Sequence, residues 1–174
     1  MSKNFRLVFM GLLVAQALVL YIVESMIPVP FIVPGAKLGL TNLVTVIALY
    51  TFSSKRDVFL IIFTRLLLST MFSGSFSTFL FSVAGAILSF LIMIAVKEIG
   101  KDHISIVGVS ASGAVFHNVG QLIVASFVVS NPTVMLYLPL LTITGIGTGI
   151  FIGLASNYIV HHMSKIKYLN FNQE

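Results

Sequence analysis

The chain has 174 residues, of which 57% are hydrophobic and only 9% charged, with a mean hydropathy of +1.07. So few charges cannot cover the surface of a soluble domain of this length, which excludes the soluble classes. The absence of cysteine removes disulfides, thiolate chemistry and cysteine metal sites, and the net charge of +5 follows the loop ends and does not mark a nucleic-acid partner.

The apolar runs are continuous and do not alternate, so the chain reads as an all-α integral membrane protein and not as a barrel. Lys3 and Arg6 precede a first apolar run over residues 7–23. Ala15-Gln16-Ala17 hints at a signal-peptide cleavage site, but the run continues past it without polar residues, as an uncleaved spanning helix does. Gly11 and Ala15 form a small-xxx-small pair on this helix, suited to close contact with a partner helix. Glu24 follows near its far end, ahead of a proline-rich loop.

Further helices are expected over residues 38–52, 58–72, 76–96 and 104–129, that over 58–72 being short for a span. Asn131-Pro132 breaks the chain, and a sixth apolar segment runs to about residue 160. The linkers Ser53-Ser54-Lys55-Arg56-Asp57, Ser73-Gly74-Ser75 and Lys97–Asp102 separate them. The expected architecture is a single domain over residues 1–174, a bundle of six transmembrane helices. With the N-terminus inside, Lys3, Arg6, Lys55, Arg56, Lys97, Lys101, Lys165 and Lys167 all become cytoplasmic, and only Lys37 falls outside. Both termini of this multi-pass chain are therefore expected on the cytoplasmic side of the cell membrane.

The stretch Pro34-Gly35-Ala36-Lys37-Leu38-Gly39-Leu40-Thr41-Asn42 sets two glycines, a lysine and two capping residue types into this apolar background. A helix opening here would offer free N–H groups and a positive dipole end beside Lys37, a seat for an anionic or carbonyl group. A re-entry turn whose lysine snorkels to the headgroups accounts for the same residues. Arg65 falls inside the third helix, roughly 12 Å from its inner end at about 1.5 Å per residue. Arginine at that depth needs a partner or water, in a functional or a structural role. His117, Asn118 and Gln121 put a polar patch on the fifth helix, with 117 and 121 four apart on one face. Polar groups in lipid must be partnered, so that face points into the bundle. A helix–helix hydrogen-bond network is one reading. The other is a ligand pocket in the outer half, lined by Lys37, Asn42, His117, Asn118 and Gln121, with Glu24 and Arg65 as further members. Glu24 is equally able to cap the loop or to pair with Lys37.

Other features are structural. Gly145, Gly149 and Gly153 recur every four residues as a packing stripe. Gly145-Ile-Gly147-Thr-Gly149 has no lysine after it and is not a phosphate loop. His161-His162 lacks a third ligand, and no pair of aspartates exists to hold Mg²⁺ on a diphosphate. No catalytic residue, metal site or cofactor is expected.

The motif Pro34–Asn42 followed by an apolar helix, together with His117-Asn118-Val119-Gly120-Gln121, resembles the membrane family called heptaprenyl diphosphate synthase component I, or the Gx transporter family. The size and helix count also resemble the substrate-binding S components of energy-coupling-factor transporters. That resemblance implies a ligand near the outer face, docking of a transmembrane coupling subunit against Gly11 and Ala15, and ATPase subunits on separate chains. The expected function is thus a non-enzymatic, S-component-like subunit of an energy-coupling-factor-type transporter, seated in the lipid bilayer and binding a small or amphipathic molecule near the outer membrane face. The alternative is a non-catalytic membrane accessory of isoprenoid or quinone metabolism, or of related electron transfer.

Overall fold

The computed structural model describes residues 3–27, 37–71 and 76–165. The expected turn at Pro34-Gly35, the Ser73-Gly74-Ser75 loop and Lys167 lie outside the described residues. Six α-helices form among those described: α1 (Lys3–Met26), α2 (Asn42–Thr51), α3 (Lys55–Ser69), α4 (Phe76–Gly100), α5 (Ile106–Val128) and α6 (Leu138–Ser164). Short 3₁₀ turns at Lys101–His103 and Pro132–Tyr137 lead into α5 and α6.

Four of these helices, α1, α4, α5 and α6 with its leading turn, are long and apolar enough to cross a membrane. The other two are shorter. α2 has 10 residues and α3 has 15, or roughly 15 and 22 Å at 1.5 Å per residue, against a hydrocarbon core of about 30 Å. The reason for the late start of α2 is local: Gly39 takes a φ of +84°, a left-handed conformation that ends one backbone direction before the helix begins at Asn42.

α5 is the axis of the bundle, packed along α4 on one side and α6 on the other. Small residues make both approaches close. A Cβ on Gly120 would fall 2.7 Å from the Ala84 carbonyl oxygen, and one on Gly149 or Gly153 would fall 2.5 or 2.6 Å from the α-carbons of Ala111 or Val107. The glycine stripe expected on α6 therefore faces α5 backbone to backbone. α2 reaches both α5 and α6, and α1 covers α2 and α3. The apolar core, with Val46, Ala48, Val58, Met93 and Val109 fully buried, lies between these layers.

The two ends of the bundle differ in charge. Arg6 pairs with Asp57, Lys55 pairs with Glu98, and Lys97 Nζ donates to the Leu49 carbonyl at 2.6 Å. These contacts bring the start of α1, the end of α2, the start of α3 and the end of α4 to one end. The antiparallel α5–α6 pair returns the end of α6 to the same side. Glu24, Lys37, Asn42 and the later halves of α3 and α5 lie towards the other.

Candidate functional site

Tyr21 and Glu24 are three residues apart on α1, hence on one face, and both are buried. Glu24 is held by the segment that leads into α2. The Gly39 N–H donates to Glu24 Oε1 at 2.5 Å, and the Leu40 N–H also engages the carboxylate. The next three amides, of Asn42, Leu43 and Val44, bond back to the carbonyls of Gly39, Leu40 and Thr41 at 2.9, 3.1 and 3.2 Å. The expected seat of free N–H groups is therefore filled from within the chain, because Glu24 is itself the anion at this helix entry. Neither capping side chain acts as expected, since Thr41 makes no cap bond and Asn42 is the first helical residue.

Gln121 fastens the same segment from α5. Its Oε1 accepts from the Lys37 amide at 3.0 Å, and its Nε2 donates to the Lys37 carbonyl at 3.3 Å. Gln121 Nε2 also lies 2.7 Å from His117 Nε2. The Lys37 amide fixes the orientation of the Gln121 amide, so His117 Nε2 must be the acceptor and the imidazole proton resides on Nδ1. The imidazole ring fits between two glycines. A Cβ on Gly39 would come within 3.2 Å of His117 Cδ2, and one on Gly85 within 2.8 Å of Cε1. Nδ1 makes no hydrogen bond of good geometry, although the Gly85 backbone lies beside the ring.

The two cations of the region are placed differently. Lys37 Nζ stands 3.1 Å from the centroid of the Tyr21 ring, a cation–π contact that already occupies it. Arg65 is 4% exposed and within electrostatic reach of Glu24, Tyr21 and His117. Its Nε and Nη2 nonetheless have no hydrogen-bond partner among the described residues. The salt bridges found among the described residues, Arg6–Asp57 and Lys55–Glu98, lie at the other end of the bundle. Asn42 is 1% exposed, and both polar atoms of its amide are unpartnered. Each such atom costs about 1–3 kcal/mol, and an unpaired buried guanidinium costs more.

The structure thus brings Glu24, Asn42, Arg65, His117 and Gln121 into one buried polar cluster, with Lys37 half-buried at its edge. Asn118 is directed elsewhere. It lies in the α5–α6 seam, where its Nδ2 donates to the Leu141 carbonyl at 2.7 Å and packs against Gly145. Sequence reasoning missed Tyr21 and Gly85. Tyr21 carried a signal in its spacing from Glu24, whereas nothing in the Ala84-Gly85-Ala86 run points to an imidazole. Among the described residues no group of three or more His, Cys, Asp or Glu is placed to hold a metal.

Gly11 and Ala15 lie on the exposed face of α1, and no described residue approaches within 4 Å of where a Gly11 Cβ would be. Beside them an apolar groove of about 710 Å³ runs between α1, α2 and α6, lined in part by Leu12, Ala15, Leu43, Ile47 and Met163.

A family model described as heptaprenyl diphosphate synthase component I matches residues 13–159. No curated protein and no solved structure matches the chain.

Proposed function

The chain belongs to the heptaprenyl diphosphate synthase component I family, and from that premise we propose that it is a non-catalytic membrane subunit that binds a small anionic or amphipathic molecule. In this reading it works as an S-component-like subunit of an energy-coupling-factor-type transporter, with the polar cluster towards the outer face and both termini cytoplasmic. The observation that carries the reading is the cluster itself. Glu24, Lys37 and Gln121 are satisfied within the chain, but Arg65 and Asn42 are buried with polar atoms that no described residue meets. Ser89, Ser110 and Ser156 also bury a lone hydroxyl without a partner among the described residues, but a guanidinium and a whole amide left open in one cluster cost far more, and a site that alternates between ligand and water leaves such atoms open. The exposed small-residue face of α1 supports a separate coupling subunit, since small residues let a partner helix approach closely. The five acidic residues are scattered along the sequence, which gives no aspartate-rich set for diphosphate chemistry.

The family description favours a second reading, in which the chain assists prenyl diphosphate synthesis by holding its lipid substrate or a partner enzyme. Protein extracted in native lipid particles and analysed for bound small molecules separates the two. A water-soluble anion retained at about one per chain supports transport. A retained prenyl lipid supports the accessory role, and a preparation free of any bound molecule counts against both.

A further inference from the structure

The ligand's charge can be read from the cluster, and this step rests on the binding function proposed above. The charged groups within electrostatic reach of one another here are Glu24 from α1, Lys37 from the segment before α2, and Arg65 from α3. The chain between Met26 and Lys37 contains no charged residue, so no further charge reaches the cluster from that loop. The remaining polar neighbours, Tyr21, His117, Gln121 and Asn42, are counted as uncharged, with the His117 proton on Nδ1. Two cations against one carboxylate leave one positive charge without a counterpart. Lys37 has the face of Tyr21 and Glu24 has the backbone amides of the α2 entry, so the unmatched group is the Arg65 guanidinium. Asn42 adds an amide donor close to His117, since a Cβ on Gly39 would touch both.

We propose that Arg65 and Asn42 take a singly charged oxyanion, a carboxylate or a phosphodiester, presented by the bound molecule. A guanidinium matches two oxygens of such a group with parallel N–H donors, and the amide NH₂ supplies a third. One negative charge brings the cluster to neutrality. A diphosphate would instead leave a buried excess of negative charge, which a low-dielectric site opposes.

The test uses the full chain in detergent or nanodiscs, with melting temperature followed against acetate, dimethyl phosphate, pyrophosphate and neutral acetamide at constant ionic strength. Acetate, dimethyl phosphate or both should raise the melting temperature saturably, and which of them acts tells carboxylate from phosphodiester. Acetamide and pyrophosphate should not. Arg65→Gln should lose the response, with apparent affinity weakened about tenfold or more, while melting no lower than the parent without anion, because an unpaired buried cation has been removed. Asn42→Ala should weaken the response less. A dominant response to pyrophosphate would overturn the single-charge assignment, as would an unchanged acetate response in Arg65→Gln. If no anion acts while a neutral co-extracted molecule is retained, the charge assignment fails and the binding function stands. A fall in melting temperature for Arg65→Gln with no anion response in the parent would make Arg65 a structural residue.

Discussion

Gly39 shows what a single position contributes here. Its φ of +84° turns the chain so that its amide meets Glu24, and its missing Cβ leaves room for the Asn42 amide and the His117 ring. Gly39→Ala should therefore lower stability by roughly 1–3 kcal/mol, from backbone strain and the two close contacts together, read by thermal melting. Gly85→Ala is a sharper probe of the site. Its new methyl group would fall 2.8 to 3.0 Å from three atoms of the His117 ring, so the ring must move and release Gln121. Overpacking of this kind costs about 1–3 kcal/mol, and ligand retention should fall with it. Retention unchanged in Gly85→Ala would show that the position of His117 does not matter to binding. The polar residue types were legible in the sequence because each is rare in so apolar a chain. Their pairings were not. Lys37 reads in sequence as a ligand contact, a headgroup anchor or a partner of Glu24, but the Tyr21 ring on α1 holds it, and the depth of a side chain says nothing about which neighbour it reaches.

At the scale of elements, the glycines of α6 and the small pair of α1 have the same spacing and opposite surroundings. Gly149 meets Ala111 on α5, whereas Gly11 meets nothing within 4 Å. Gly149→Leu should accordingly separate α5 from α6 and prevent a stable fold, well beyond the roughly 1–3 kcal/mol of ordinary overpacking, because the atom in the way is backbone. The double variant Gly11→Leu, Ala15→Leu should melt at or above the parent temperature, since leucine improves on glycine in a helix by about 0.5–1 kcal/mol. It should nonetheless fail to assemble with the coupling subunit in co-purification. Normal assembly would place the partner interface on another face. Helix identity was readable from apolar runs, but the ends were not. α1 begins at Lys3 and α4 continues to Gly100, in each case carrying charged residues that pair across helices at the bundle end. Asn118 was misplaced for a related reason. Adjacent helix positions differ by about 100°, so next to a histidine that faces α4 the asparagine faces α6.

For the whole molecule, the strongest signal in the sequence was its charge polarity, because lysine and arginine avoid lipid wherever they fall and so mark the loops that stay on one side. The fold gives that bias a shape. Cations from α1, α3 and α4 gather at one end through Arg6–Asp57, Lys55–Glu98 and Lys97 over the Tyr50 ring, while the opposite end holds the buried cluster. Exposed pairs such as Lys55–Glu98 contribute little to stability, so they do little to hold the fold, and in the proposed orientation their cations mark the cytoplasmic end. α2 and α3 are each shorter than the hydrocarbon thickness, yet the alternation of chain direction is preserved, and the sign of each loop is unaffected. Single cysteines at two exposed positions test this arrangement in a chain that has none of its own. Asn131→Cys, in the turn before α6, should react with an impermeant thiol reagent applied outside intact cells. Ser164→Cys, at the end of α6, should react only after the cells are opened. The reverse pattern would put the cluster on the cytoplasmic side, where a ligand arriving from outside could not reach it, and would turn the transport reading towards a subunit that receives its molecule from within the cell.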